Sequence, residues 1–270
     1  MTMAMLEFEP ELRLISFAIM LVMMFWLQSI WPVRGDGHPR RRQLVNAGLA
    51  LFNTLTLRLV FPVLAVALSI AIHERQGGLF GALDWSVWIA VPLAMLLLEL
   101  AIYWQHRLMH AVPLLWRIHR VHHLDTGFDV TTGVRFHPLE IALSMGIKLA
   151  LIALLGPHPI AVLLFEIVLA VGALWTHTDF ALPQRLDDRV RRLFVTPSMH
   201  RIHHSNRQLE TDSNYGFHLA IWDRLFGSYT ERPKKTEREM SIGLDDFGAP
   251  KDQTFWALML NPFRTTSKDS

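Results

Sequence analysis

Residues 86–110 read SVWIAVPLAMLLLELAIYWQHRLMH. From Ser86 to Trp104 the run is apolar, with a single acid, Glu99, inside it. A transmembrane helix needs about 20 mostly apolar residues, so this stretch is long enough to cross a bilayer. It ends directly in His106 and His110, which are four apart and share a face if the helix continues. The stretch thus joins the two properties that govern the whole chain: membrane-length apolar runs, and histidines grouped just beyond their ends.

Four further runs extend the pattern. Leu14–Trp31 is broken only by Ser16, Gln28 and Ser29. Leu44–Ile72 holds Arg58 and Pro62 and reads either as one kinked span or as an interfacial piece followed by a span. Leu139–Gly156 and Ile160–Trp175 are joined by Pro157, His158 and Pro159, too short a link for anything but a tight hairpin. The expected fold is an all-α integral membrane protein with four to five transmembrane helices. A soluble all-helical protein is the weaker reading, because so many runs reach membrane length. The acidic flank Glu7, Glu9 and Glu11 stands where a signal peptide carries basic residues, so the first run reads as a retained anchor. Arg34, Arg40, Arg41 and Arg42 follow that run and place the loop on the cytoplasmic side. Alternation then puts Gln105–Pro138 and everything after Thr176 on the same side. The arginines of the tail, Arg185, Arg189, Arg191, Arg192, Arg201 and Arg207, agree.

Composition narrows the chemistry. The chain has 270 residues, 51% hydrophobic and only 19% charged, against about 25% charged in soluble domains. A net charge of +2 argues against a nucleic-acid binder. The absence of cysteine removes disulfide frameworks, cysteine zinc sites, cysteine-ligated iron–sulfur clusters, haem thiolates and cysteine nucleophiles. Histidine, with 14 residues, is about twice as frequent as usual. Ten histidines fall on the predicted cytoplasmic side: His106 and His110; His119, His122 and His123; His137; His177; and His200, His203 and His204. Spacings of three and four predict that each cluster presents one shared helical face. Thr196 and Pro197 suit the N-cap and first position of the helix carrying the last cluster. His38, His73, His158 and His218 read as ordinary surface or core residues.

Ten imidazoles are too many for one ion, since zinc sites take three or four protein ligands. They suit two ions with four or five ligands each. The zinc-protease signature H-E-x-x-H is absent, because Arg107 follows His106 and Arg120 follows His119. Asp125, Glu140, Asp179 and Asp223 lie near the clusters and could orient the second nitrogen of a ligand histidine. For any one of them a loop charge or helix cap is the simpler reading. Acids inside a membrane are costly and usually face a polar cavity. Glu99 and Glu166, each at helical spacing from a candidate ligand (His106 and His177), are therefore expected to line a substrate path or proton route. Trp104, Trp116, Trp175 and Trp222 flank the motifs and read first as interface anchors.

The set H-x3-H (His106, His110), H-x2-H-H (His119, His122, His123) and a late H-x2-H-H (His200, His203, His204) resembles the fatty acid hydroxylase/sterol desaturase superfamily of membrane di-iron enzymes. Asn214-Tyr215-Gly216 and Ile221–Gly227 look like that family's tail signature, and the resemblance runs from about Glu99 to Tyr229. His137 and His177 sit where sterol-desaturase-like members carry further histidines. The resemblance implies a stem of transmembrane helices under a cytosolic helical cap with a histidine-rich dimetal site. It implies a division into N-terminal transmembrane helices (1–98), a catalytic region (99–232) and a C-terminal cytosolic tail (233–270). It implies all ten histidines as ligands of two iron ions, although some members have been found with zinc. Dioxygen would be the co-substrate, and a C–H bond of a membrane lipid would become an alcohol or part of a double bond. The resemblance implies electrons from an external donor protein such as a cytochrome b5 or ferredoxin; the chain itself carries no G-x-G-x-x-G fingerprint. Two other classes compete. A histidine-rich metal transporter or metal-binding membrane protein usually places ligands near the bilayer midplane, whereas these follow the spans. A zinc-dependent membrane hydrolase lacks a nucleophile or general-base motif.

Overall fold

The computed structural model describes residues 6–35, 39–61, 63–83 and 85–265; His38, Pro62 and Asp84 lie outside them. Among the described residues the chain is all-helical, with no strand and two isolated bridges, Phe194–Leu219 and Ser205–Ile242. Among the described residues five stretches are long and apolar enough to cross a membrane: Glu9–Ile30, Arg40–Leu83 (in several helical pieces), Val87–Ala111, Pro138–Leu155 and Pro159–Thr176.

Helix α1 is Glu9–Ile30. Its outward side chains include Leu14, Ile19, Val22, Met23 and Trp26, an apolar surface suited to hydrocarbon. The run from Leu44 to Ile72 is two helices, α2 (Arg40–Val60) and α3 (Ala65–His73). A short helix α4 (Gly78–Leu83) leads to α5 (Val87–Ala111), and α6 (Pro113–His123) packs back against α5. The hairpin of α7 (Pro138–Leu155) and α8 (Pro159–Thr176) forms the centre. Helix α2 packs on α7, and α3 packs on both α7 and α8, so the second run passes along the hairpin in two pieces. Helix α8 also contacts α1 and α5.

Prolines open many of these helices: Pro10, Pro113, Pro138 and Pro159 all sit in a first turn, where the missing N–H costs nothing. At the end of the bundle away from the histidines, Gly78 and Gly156 both have positive φ, and a Cβ on Gly156 would lie 2.1 Å from the Gly77 carbonyl oxygen. Only glycine permits that contact between the two turns.

Helix length places the histidines. At 1.5 Å per residue, α5 is about 37 Å long, more than the roughly 30 Å hydrocarbon core. His106 and His110 lie in its last two turns, where the apolar run has ended. Beyond them α6, a 3₁₀ turn at Val130–Val134, α9 (Gln184–Val190), α10 (Pro197–His203), α11 (Gln208–Thr211), α12 (Ile221–Leu225) and α13 (Phe255–Leu260) build the cap.

Three fully buried arginines tie the cap together, each close in sequence to a candidate ligand. Arg120 donates to Asn261. Arg135 donates to the Val121 carbonyl, to Asn46 of α2 and to Gln253. Arg201 donates to the Thr178 and Phe180 carbonyls and pairs with Glu237. Segments 233–263 and α2 are thereby bound to the histidine-bearing elements. Leu49 packs with Val121, Leu124, Phe247 and Leu258 in one apolar cluster.

Candidate metal centre

The cap helices do not present their histidines on shared faces. Each H-x2-H-H cluster splits, because only the i and i+4 members align closely. His119 and His123 turn one way and His122 the other; His200 and His204 turn one way and His203 the other. Two groups result. The first is His106, His110, His119, His123 and His203, and the second is His122, His177, His200 and His204. Within each group the candidate ligand atoms lie within 4.8 Å of one another, and all nine residues are buried. Each triplet therefore contributes to both groups and holds them side by side. His123 and His204 stack across the boundary, with ring centroids 4.6 Å apart.

Local structure fixes the tautomers. His122 Nδ1 donates to the Arg135 carbonyl at 3.1 Å, and His177 Nδ1 donates to the Ala173 carbonyl at 2.7 Å. A carbonyl can only accept, so Nδ1 carries the proton in both rings and each Nε2 presents a lone pair. Those two Nε2 atoms face each other at 3.1 Å. His204 Nε2 and His200 Nε2 lie 3.2 and 3.0 Å from His177 Nε2. Facing lone pairs at that separation repel unless a cation lies among them. Metal–nitrogen bonds of about 2.0–2.1 Å give nitrogen–nitrogen contacts of this size.

The first group follows the same logic. His106 Nδ1 donates to the Tyr215 carbonyl at 2.8 Å and His203 Nδ1 to the Ser213 carbonyl at 2.7 Å. Both leave a buried Nε2 with no hydrogen-bond partner. His119 Nδ1 donates to Glu140 at 2.8 Å, and its Nε2 sits 3.2 Å from His123 Nε2. His110 Nδ1 donates to Asp212 at 3.2 Å. Burial first, then the neighbouring imidazoles, pushes His122, His123, His200 and His204 well below the ordinary histidine range. Burial lowers His177 to about 4 and His203 to about 3, against the opposing carbonyl hydrogen bonds. Neutral imidazoles are what a transition metal requires. The residues present fit two metal ions in an all-nitrogen donor set, which suits iron, zinc or copper.

Local sequence explains the placement. Thr196 Oγ1 caps α10 by accepting from Met199 N, with Pro197 in the first turn. Gly133 lets the 3₁₀ turn approach α8; a Cβ there would lie 2.5 Å from the Ala173 carbonyl oxygen and 3.3 Å from His177 Nδ1. The tail signature positions His106. Asp223 accepts from the Tyr215 and Gly216 amides at 2.7 and 2.8 Å, which aims the Tyr215 carbonyl at His106. Burial raises Asp223 to about 6, opposed by its hydrogen bonds from Ser228, Gly216 and Tyr215. Asn214 takes a positive φ of 53°, tolerable for asparagine, and its amide donates to the Met199 and Thr230 carbonyls.

His137 lies outside both groups. Its Nδ1 accepts from Leu139 N as the N-cap of α7, and its Nε2 lies 3.1 Å from the Met259 carbonyl. Of the four carboxylates near the clusters, Glu140 meets His119 of the first group; Asp125 pairs instead with Arg42, Asn46 and Thr132. Asp179 accepts from the Arg34 amide. Asp212, which no motif marks, does back a histidine. Trp116 is buried 5.0 Å from the His110 ring, so it supports the site and does not anchor an interface.

The two intramembrane acids part company. Glu99 does not line the cavity beside the histidines. It accepts from the His218 and Leu219 amides and pairs with His218 Nδ1 at 2.8 Å, fastening the tail loop to α5. His218 also reaches the Val168 carbonyl, a role nothing in its sequence context signals. Glu166 does line the cavity, paired there with Lys148 at 2.7 Å and Arg13 at 3.0 Å. This cavity, about 380 Å³, reaches His106, His119, His122 and His200 at its other end.

Residues 91–228 match the family described as Fatty acid hydroxylase. The chain is 31% identical over 160 residues to an ornithine lipid hydroxylase of Rhizobium tropici, covering 59% of this chain and 47% of that protein. It is 29% identical over 174 residues to the alkylglycerol monooxygenase of Homo sapiens, covering 61% and 38%. It is 29% identical over 133 residues to the lathosterol oxidase of Mus musculus, covering 48% and 42%. The matches span less than half the length of these curated relatives. No solved structure matches. With about half of its length inside the family match and the histidine motifs within that half, the chain belongs to the fatty acid hydroxylase family.

Proposed function

We propose that this protein is an oxygen-dependent di-iron oxidoreductase that hydroxylates or desaturates a C–H bond of a membrane lipid. The observation that carries the reading is the pair of converging imidazole groups at the inner end of a largely apolar cavity among membrane-length helices. His106, His110, His119, His123 and His203 hold one iron, and His122, His177, His200 and His204 hold the other. His137 supports this set as a helix cap. Two irons there would supply dioxygen activation and oxidation of an unactivated C–H bond.

The chain's own residues do the rest. Carbonyls of Arg135, Ala173, Ser213 and Tyr215 keep the Nδ1 protons outward, and Glu140 does the same for His119. Apolar residues such as Leu57, Ile102, Met109 and Leu169 line the cavity, so a lipid chain can lie there with water displaced. The functional division runs as N-terminal spans 1–98, catalytic region 99–232 and tail 233–270. The arginines at 40–42 and 185–192 support a cytoplasmic position for the histidine end, where a soluble or membrane-bound electron donor would reach it. A transport role is not favoured, because both groups sit at the ends of the spans.

The test is direct. Protein purified in mild detergent with ferrous iron kept reduced should hold near two irons per chain. It should take up oxygen when given lipid and a reductant. One zinc or none, with no oxygen uptake under any donor, would replace this reading with a metal-binding or hydrolase one.

A further inference from the structure

The cavity wall near the histidines carries acceptor oxygens that the protein leaves unmatched. Asn53 of α2 is 6% exposed, and its Nδ2 donates to the Phe136 carbonyl at 2.9 Å. Because that partner can only accept, the amide orientation is fixed and Oδ1 is the remaining atom. Among the described residues Oδ1 has no hydrogen-bond partner. Glu140 is 4% exposed; its Oε1 serves His119, and its Oε2 has no hydrogen-bond partner. Both residues line the cavity. Both lie close to the metal ligands: Phe136, whose carbonyl Asn53 holds, stacks on His122 at 4.5 Å and 8°.

A buried acceptor without a donor is destabilising, and few survive in folded proteins. The same wall carries a third, Gln105 Oε1, which has no hydrogen-bond partner among the described residues while its Nε2 donates to Ser144 at 2.6 Å; Leu57, Ile102 and Met109 beside it are apolar. Glu166 Oε2 also lacks a hydrogen bond among the described residues, but it stands in an ion pair with Arg13 at 3.0 Å, and Oε1 accepts from Lys148 at 2.7 Å. Among the described residues the cavity oxygens with neither a hydrogen bond nor an ion pair are Asn53 Oδ1, Glu140 Oε2 and Gln105 Oε1, and all three are acceptors.

We propose that Asn53 and Glu140 accept hydrogen bonds from a hydroxyl or amide N–H of the substrate. The oxidised carbon then lies next to a donor-bearing polar group, with the hydrocarbon tail running away from the irons. Asn53 is a specificity-determining residue: it selects lipids with a donor at that point over isosteres without one. The word substrate rests on the lipid-oxidase reading above; the binding preference does not.

The experiment measures equilibrium binding of radiolabelled probes to the iron-loaded full chain in phospholipid nanodiscs. One pair is hexadecane-1,2-diol and its dimethyl ether, 1,2-dimethoxyhexadecane. A second pair is N-hexadecylacetamide and its N-methyl derivative, which tells hydroxyl from amide. In the unaltered protein at least one donor-bearing probe should bind about tenfold or more tightly than its methylated partner. Asn53→Leu should bring that ratio near one with iron content retained. Asn53→Asp, which keeps an acceptor, should preserve it. Equal binding within both pairs, no binding of any probe, or a ratio that survives Asn53→Leu overturns the proposal. So does a ratio lost equally in Asn53→Asp, since that assigns Asn53 only to holding the Phe136 carbonyl. Donor-selective binding in a protein that takes up no oxygen would leave this inference standing and remove the oxidase reading.

Discussion

The two histidine groups are built from the same motifs, yet their backing differs. In the first, carboxylates stand behind two rings, Glu140 behind His119 and Asp212 behind His110. In the second, the partners are the carbonyls of Arg135 and Ala173, while the buried Nδ1 atoms of His200 and His204 have no hydrogen-bond partner among the described residues. A carboxylate behind an imidazole raises its basicity and its hold on a metal. The first group also has one more candidate ligand, five against four. The difference teaches that neighbouring groups drawn from a shared pair of helices need not be equivalent: a metal ion in the first would be held more firmly than one in the second.

The largest expected effect tests that inequality at the ligands. His177→Ala removes the second-group residue that faces three others, at 3.0–3.2 Å. Iron content should fall to about one per chain, and oxygen uptake with lipid should be lost. His110→Ala takes one of five from the first group and should retain near two irons. Metal analysis of both variants under the same dialysis checks this. Equal losses in the two would break the comparison.

A smaller effect sharpens it. Glu140→Gln keeps an acceptor for His119 but removes the negative charge. Loss of such a partner typically costs 10–100-fold in metal affinity. Competition with a chelator should show one iron released at roughly that factor lower chelator concentration, with the other iron unmoved. A weakening shared by both irons would mean that the groups act as one unit.

Much of this arrangement was legible from the chain alone, for physical reasons. Span positions follow from run length, because a bilayer demands about 20 apolar residues whatever the packing. That nine of the ten histidines gather in two groups of five and four follows from clustering and counting. The split within each H-x2-H-H did not follow, because three- and four-residue spacings differ by enough helical rotation to serve two centres once these face each other. Nor did the role of Glu99. At helical spacing from His106 it resembles Glu166 at its spacing from His177, and only the tail loop returning with His218 shows that Glu99 fastens a loop while Glu166 faces the cavity. Asp212 carries no motif; its place behind His110 depends on the path of α11.

His137 bounds the comparison from outside, and it gives the smallest effect. Sequence position groups it with the ligands, whereas the structure makes it the cap of α7, with Nδ1 accepting from Leu139 N and Nε2 directed to the Met259 carbonyl. Both ring nitrogens are thus engaged away from the two groups. Asparagine caps helices well, its side-chain oxygen taking the same amide hydrogen. His137→Asn should therefore leave iron content near two per chain and lower stability by less than about 1 kcal/mol, read as a small shift in thermal unfolding. If instead the variant loses an iron while its helix content is unchanged, His137 is a ligand and its ring must turn from the cap toward one of the groups when metal binds. The measurement separates a residue that holds the metal from one that holds the helix next to it, a distinction that histidine spacing alone cannot draw.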